Sequence, residues 1–410
     1  VPELNRRTVL TLGAALGLTG AAAAAPGVAS AAPRAWSWSP AGSVIGSGSG
    51  VDPQWVWDDE IDQIMANVIT SGQTAQVNTA MRNWVNNWQP VPSGLPAPLK
   101  GWFAEHVKMP DWADMSKLRR AAAFNRRAEM FLFFIYGIGG GIMSTVIPRE
   151  ARSVYWSKGG ADMQDRAAKT FSFGYDLSNL NAFEWSGEFK VTSNKTRIVH
   201  AAVRHLLPQS PHWQASGHDE TIPISNADIL VTFHSTGTFA HKKMKEWGVR
   251  MSAAEEEAFL HSWQVALHYL GVRDEYIPAT WDQAHAQAAQ TLDPIMQWTP
   301  EGQDLAEVLL GLTAQIDLGV TRGFLNEFVR YQLGDQIGDW LGLFRDPVSR
   351  TLIEEGWPIY VKFRDGLIPV LPVTFWVFDK FIRGLAMAFL NRWQSPSTTP
   401  IEVPDMNRPM

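Results

Sequence analysis

The chain has no cysteine among its 410 residues, and that absence excludes a good deal of chemistry. Disulfides, cysteine-ligated zinc, iron–sulfur clusters, thioether-attached haem and a thiol nucleophile are all impossible. Charge is also scarce: 19% of residues are Asp, Glu, Lys or Arg, and the formal net charge is -6. With no Lys/Arg-rich block to offset it, this balance argues against nucleic acid as a partner. Neither GxSxG nor HExxH occurs, so the commonest hydrolase and zincin signatures are missing. In their place are 19 Trp, 20 Phe, 13 Met and 10 His, with 45% of the chain hydrophobic. This is enough apolar material for a large folded core, and for redox or metal work it leaves His, Asp and Glu.

Residues 1–31 read as an export signal of the twin-arginine type. Arg6-Arg7 precede an uncharged Ala/Leu/Gly-rich stretch, and Ala29-Ser30-Ala31 offers small residues for a peptidase near Ala31. That route carries folded proteins, which suits a chain that gains nothing from disulfides. The expected organisation continues with a linker and Trp-rich helical region over 32–118. A helical core spans 119–340 and a C-terminal helical region covers 341–410. Trp55, Trp57, Trp84, Trp88, Trp102 and Trp112 are expected mainly in packing, with polymer binding as the alternative.

Met130–Ile147 runs for 18 residues without a charge, the minimum for a membrane span, but Gly137 and Gly139-Gly140-Gly141 interrupt it. A buried core helix followed by a close-packed glycine turn is the reading adopted, with no integral span. Ser252-Ala253-Ala254-Glu255 is a capping box opening a helix that ends at Gly271. Gln303–Leu333 has helical apolar spacing, and Gly366–Phe378, broken by Pro369 and Pro372, reads as a buried irregular segment. Strand signals are few, chiefly at Phe189-Lys190-Val191. The fold class is mainly α.

Eight of the ten histidines lie between His200 and His268. In the helix predicted over Ser193–Leu207, Arg197, His200 and Arg204 fall within about 60° of one another, and His205 lies on another face. One imidazole flanked by guanidinium groups suits a haem with anionic propionates, and Ala201 and Ala202 would leave room for a planar ligand. A solvated Arg face around one buried His is the plainer explanation. A second predicted helix, Ala161–Phe173, puts Arg166, Lys169, Thr170 and Phe173 on one stripe, where Lys169 could ligate only as a neutral, desolvated amine. Two further constellations compete. His218-Asp219-Glu220 with His234 or His261 offers donors for non-haem iron. His261 and His268 share a helix face that is more simply a packed stripe.

Three motifs in order, Arg166-Ala-Ala-Lys169-Thr170, Arg197-Ile-Val-His200-Ala-Ala-Val-Arg204-His205 and Thr232-Phe-His234, resemble those of the latex clearing proteins. These are secreted actinobacterial rubber oxygenases, and the resemblance covers essentially the whole chain. It implies a globin-like helical core with additional N- and C-terminal helices, holding one non-covalent haem b per chain, with iron and O2 as co-substrate. By the same resemblance His200 is the proximal iron ligand and Lys169 a distal ligand in a closed state. Glu150 matches the catalytic base. Arg166, Thr170, Arg204, His205, His234 and, more distantly, Arg330 belong to the haem surroundings. The implied reaction is oxidative scission of poly(cis-1,4-isoprene) to oligo-isoprenoids with aldehyde and ketone ends, by a monomer outside the cell. The competing functions are an oxygenase of a smaller isoprenoid or lipid, and a secreted haem-binding or oxygen-sensing protein without turnover.

Overall fold

A computed structural model describes residues 36–178, 181–314, 321–367 and 401–409. The signal-like segment and most of Gly366–Phe378 lie outside these described residues. Among them helix is the dominant regular structure, and the only β pairings are isolated bridges, Ser43 with Gly46 and Ser157 with Asn407. The mainly α expectation therefore holds, while the strand signal at Phe189 does not. Phe189 instead opens a long helix, because Phe189, Val191 and Ile198 are needed on a packed face.

In chain order the helices are α1 (Asp59–Thr70), α2 (Thr74–Met81), α3 (Ala97–His106), α4 (Met115–Phe134) and α5 (Gly141–Met143). Next come α6 (Pro148–Trp156), α7 (Met163–Ser178), α8 (Phe189–Leu206), α9 (Pro211–Ala215) and α10 (Asn226–Phe233). Then follow α11 (Phe239–Glu246), α12 (Ala253–Tyr269), α13 (Trp281–Thr291), α14 (Pro300–Ala314), α15 (Arg322–Leu333), α16 (Asp335–Trp340) and α17 (Pro347–Leu367). Local sequence sets their ends. Asp114 caps α4 by accepting from the N–H groups of Ser116 and Lys117, and capping boxes open α10, α12 and α13. Helix α12 stops just before Gly271, whose φ of +89° suits glycine.

The main core forms where α4 packs along α12, with Phe124 against Phe259 at 5.5 Å between ring centres. A second core joins α1, α2 and α3 to one face of α8 through Ile61, Met65, Leu99, Phe103 and Ile198. Ala201 and Ala202 belong to this second core and are fully buried. Their small side chains let α1 approach α8, so they do not clear space for a ligand as the sequence reading supposed.

The glycine cluster also differs from expectation. The chain does not turn there but continues as a π-helical segment, Ile135–Gly140, before re-entering α5. A second π segment, His234–Thr238, crosses it. A Cβ on Gly140 would stand 2.8 Å from the Ser235 carbonyl, so the glycine is required by a backbone-to-backbone contact. The helical stretch Met115–Val146 is long and apolar enough to cross a membrane, yet 61% of its most apolar window is buried inside the fold, as for a core helix. Of the N-terminal tryptophans, Trp84 and Trp102 are core residues, whereas Trp55 and Trp88 are exposed.

Candidate active site

Helix α6 begins at Pro148, whose missing N–H costs nothing at the first helical position. Its first turn carries Arg149 and Glu150, which serve different neighbours. The Glu150 carboxylate accepts a 2.7 Å hydrogen bond from the Thr232 hydroxyl of α10. Burial pushes the Glu150 carboxyl up to about 8. The Thr232 hydrogen bond opposes that shift, the Asp228 charge adds to it, and Arg166 pulls it down. Glu150 is nonetheless only half-buried.

His200 on α8 has the same character. It is half-buried, and its Nδ1 is buried with no hydrogen-bond partner. Burial, then the cations of Arg204 and Arg166, push its pKa down to about 3. The imidazole is therefore neutral at physiological pH, the form that ligates a metal. A partnerless buried nitrogen is a rare and costly feature that a bound group would relieve.

Arg166 on α7 links the two. Its charge acts on His200 from one side and is itself favoured by Glu150 on the other. Gly159 faces it, and a Cβ there would come within 3.0 Å of the Arg166 Nη1. The structure thus brings Glu150, Arg166 and His200 into one electrostatic unit from three successive helices, with Thr232 as a fourth contributor.

Other sequence candidates are placed differently. Lys169 pairs with Asp165 one turn earlier, Nζ to Oδ2 2.7 Å, and Thr170 is exposed. His205 is half-buried, and its carbonyl accepts from the Gln209 side chain at 2.7 Å. His234 is buried in the second π segment, with Nδ1 3.0 Å from the Thr238 hydroxyl and Nε2 without a partner. Burial, then the nearby His285, push its pKa down to about 3.

Arg197 and Arg204 do share a face of α8, but that face meets α1. Arg197 pairs with Asp58 and stacks over Trp102, and Arg204 Nε donates to Asp62 at 2.8 Å. Arg204 also donates to the Ile224 carbonyl at 3.1 Å. Both guanidinium groups, read from sequence as propionate partners, are thus matched by protein carboxylates. Arg330 is likewise engaged away from His200, with Asp339 at 2.7 Å and the Leu343 carbonyl at 2.6 Å across the α15–α16 corner.

The rival constellations come apart. His218 stacks on Trp213 at 3.5 Å, and Asp219 and Glu220 face Arg149. His261 accepts from the Asp114 N–H, and His268 pairs with Asp274. No group of three or more His, Asp or Glu converges as a metal site among the described residues. The non-haem iron reading has no geometric support.

Sequence reasoning missed Asp228 and Arg149 and passed over Thr232 as a site residue. A signal for the first and last was available: Ser225-Asn-Ala-Asp228 is a capping box, and Asp228 and Thr232 are one turn apart on the same face.

Residues 124–393 match the family described as ER-bound oxygenase mpaB/B'/Rubber oxygenase, catalytic domain. The chain is 49% identical over 407 residues to the rubber oxygenase of Streptomyces sp. (strain K30), covering 99% of each. Its fold is similar to the solved structure of latex clearing protein LCP in the closed state. The TM-score is 0.79 at 51% identity, over 86% of this chain and 95% of that one.

Proposed function

Because this chain belongs to the mpaB/rubber oxygenase catalytic-domain family, we propose that it is a dioxygenase cleaving the backbone double bonds of poly(cis-1,4-isoprene). Each scission consumes one C=C bond and one O2 and leaves one ketone and one aldehyde. Both oxygen atoms enter the products, so no external reductant is needed. The observation that carries this reading is a half-buried Glu150 held on the Thr232 hydroxyl at 2.7 Å, together with a half-buried His200 whose Nδ1 has no partner.

The donor set fits a haem b. His200 offers a neutral imidazole with a partnerless buried nitrogen, and the absence of cysteine leaves packing, polar contacts and one His bond to hold the group. When bound, the haem supplies the capacity to bind and activate O2. Lys169 is the α7 side chain that would help His200 hold the group in a closed state, in competition with Asp165. Arg166, Thr170, His205 and His234 make up the polar surroundings.

Polyisoprene has no polar handle, so its positioning must come from apolar walls and the polar groups must act on the reacting atoms. Glu150 is suited to take an allylic proton and return it before product release. Its raised pKa, about 8, makes the ionised form a strong base near neutral pH. Thr232 holds the carboxylate in place, and Arg166 keeps a useful fraction of it ionised. The substrate is a polymer too large to enter a cell, which suits export by the Arg6-Arg7 signal and action outside it.

The test is O2 uptake and carbonyl-ended products on rubber latex, comparing wild type with Glu150→Gln at matched haem content. Latex-dependent uptake that collapses in the variant is the expected result. Uptake only with small terpenoids would reassign the substrate, and haem binding with no uptake would favour a carrier or sensor. A Glu150→Gln enzyme as fast as wild type would remove Glu150 from the mechanism.

A further inference from the structure

Beside Glu150 sits a charge cluster, buried except for Asp219, that the mechanism above does not use. Arg149, 8% exposed, points away from Glu150 into the loop between α9 and α10. Its Nε lies 3.1 Å from Asp219 Oδ1, and its Nη2 donates to the Gln54 side chain at 2.6 Å. Its Nη1 is 3.6 Å from Asp228, and its Nε is 3.9 Å from Glu220. One guanidinium thus faces three carboxyl groups. Burial and its neighbours Asp219 and Asp228 push Glu220 up, whereas the Glu220 hydrogen bond and Arg149 hold Asp219 down.

Asp228 is the member that reaches the site. Its carboxylate accepts from the Ser225 N–H at 2.8 Å and the Ser225 hydroxyl at 2.9 Å, closing the cap of α10. One turn on, the same helix presents Thr232 to Glu150, and the Thr232 hydroxyl also lies 3.1 Å from the Asp228 carbonyl. The loop leading into this cap is strained. Ile224, a β-branched residue, has φ +58° and is held there by Arg204 on its carbonyl. Trp57 donates to the Ile222 carbonyl and the Asn226 N–H to the Val56 carbonyl, which fixes the loop from the other side.

We propose that Asp228 is a positioning residue for Glu150. The Asp228 carboxylate closes the cap that sets the turn of α10 aiming Thr232, and its negative charge, one turn from Thr232 on that helix, opposes ionisation of Glu150. Arg149 anchors that charge to the loop. This rests on the reading of Glu150 as the base.

The other charged groups around Glu150 do not duplicate the role. Arg166 from α7 acts with the opposite sign. From α14, Glu301 and Asp304 engage Trp156 and Tyr155, and from α9 His212 stacks on Trp156. All three contacts sit at the far end of α6.

The experiment is the pH profile of latex-dependent O2 uptake by the haem-loaded enzyme. It is paired with the infrared carboxyl band of Glu150, obtained by difference against Glu150→Gln. Asp228→Asn, and as a second charge-free variant Asp228→Ser, keep a side-chain oxygen for the cap. Each is expected to move both midpoints down by roughly half to one pH unit. Ser225→Ala weakens the cap but leaves the charge, so any loosening of Thr232 should move the midpoints up and not down. Midpoints unchanged in both Asp228 variants, with uptake collapsed in Glu150→Gln, overturn the inference and leave Glu150 as the base. An acid limb that survives in Glu150→Gln overturns both.

Discussion

The Thr232 hydroxyl donates to Glu150 Oε1 at 2.7 Å, joining helices 82 residues apart in sequence. This hydrogen bond favours the ionised carboxylate against the burial that disfavours it. Thr232→Val removes the hydroxyl and nearly keeps the shape. Its pH–rate midpoint should rise, opposite to the shift expected for Asp228→Asn, with a several-fold slower rate at neutral pH. A midpoint at the wild-type value would mean that Thr232 does not touch the titrating group.

Glu150 also makes a signed prediction for stability. Its folded pKa of about 8 lies above the ordinary glutamate value of 4.5, so between those values the folded state binds more protons than the unfolded one. Stability therefore falls as pH rises through that window. Glu150→Gln removes this contribution. Its melting temperature should match or trail wild type near pH 4 and exceed it near about pH 9. Parallel curves across the range would contradict the buried carboxyl.

His234 gives the opposite sign. Its folded pKa, pushed down to about 3 from 6.5, means that the unfolded chain takes up a proton first as pH falls. Wild type should lose stability as pH drops from about 6.5, and His234→Gln should lose less over the same interval. Equal acid sensitivity in urea titrations would argue that His234 is not held neutral.

Arg204 and Arg330 test what the charged residues near the motifs are for. Arg204 is 3% exposed and bound to Asp62, which is 28% exposed. Arg204→Ala should cost about 3 kcal/mol in urea unfolding, because it strands a carboxylate in a partly buried site. Haem content per folded chain should be unchanged, as it should for Arg330→Ala. Full stability with haem lost would return these arginines to the cofactor.

Gly302 on α14 packs directly on the carbonyl of Thr145, and an added Cβ would collide with it. Gly302→Ala should cost about 2 kcal/mol or more, visible as a lowered melting temperature. An unchanged melting temperature would mean that α14 can shift away from the segment leading into α6.

Much of the fold was legible because it rests on local rules. The cap at Ser252, the stop at Gly271 and the all-helical pattern follow from spacing and capping chemistry. The glycine run misled, because its contacts with Ser235, Phe239 and Gln332 are distant in sequence and only the packed structure shows why a helix tolerates them. Arg197 and Arg204 were correctly placed on one face, but the aspartates that meet them, at the cap and in the first turn of α1, lie some 140 residues earlier. Ala201 and Ala202 failed for the same reason: a small residue permits either a ligand or a close helix. His200 and Arg166 stood out on their helix stripes and took their roles, like Glu150, from a resemblance; the capping box marked the position of Asp228 but not its neighbours, and Arg149 needed coordinates. A buried ion cluster has no periodicity to read.

The most direct test of the central claim, that His200 holds a haem in this site, is the visible absorption spectrum and haem content of purified wild type and His200→Ala. Circular dichroism would confirm that both are folded. The account predicts a Soret band and one haem per chain in wild type, and loss of both in His200→Ala with helical content intact. A folded His200→Ala chain that keeps the wild-type Soret band and a full complement of haem would contradict it.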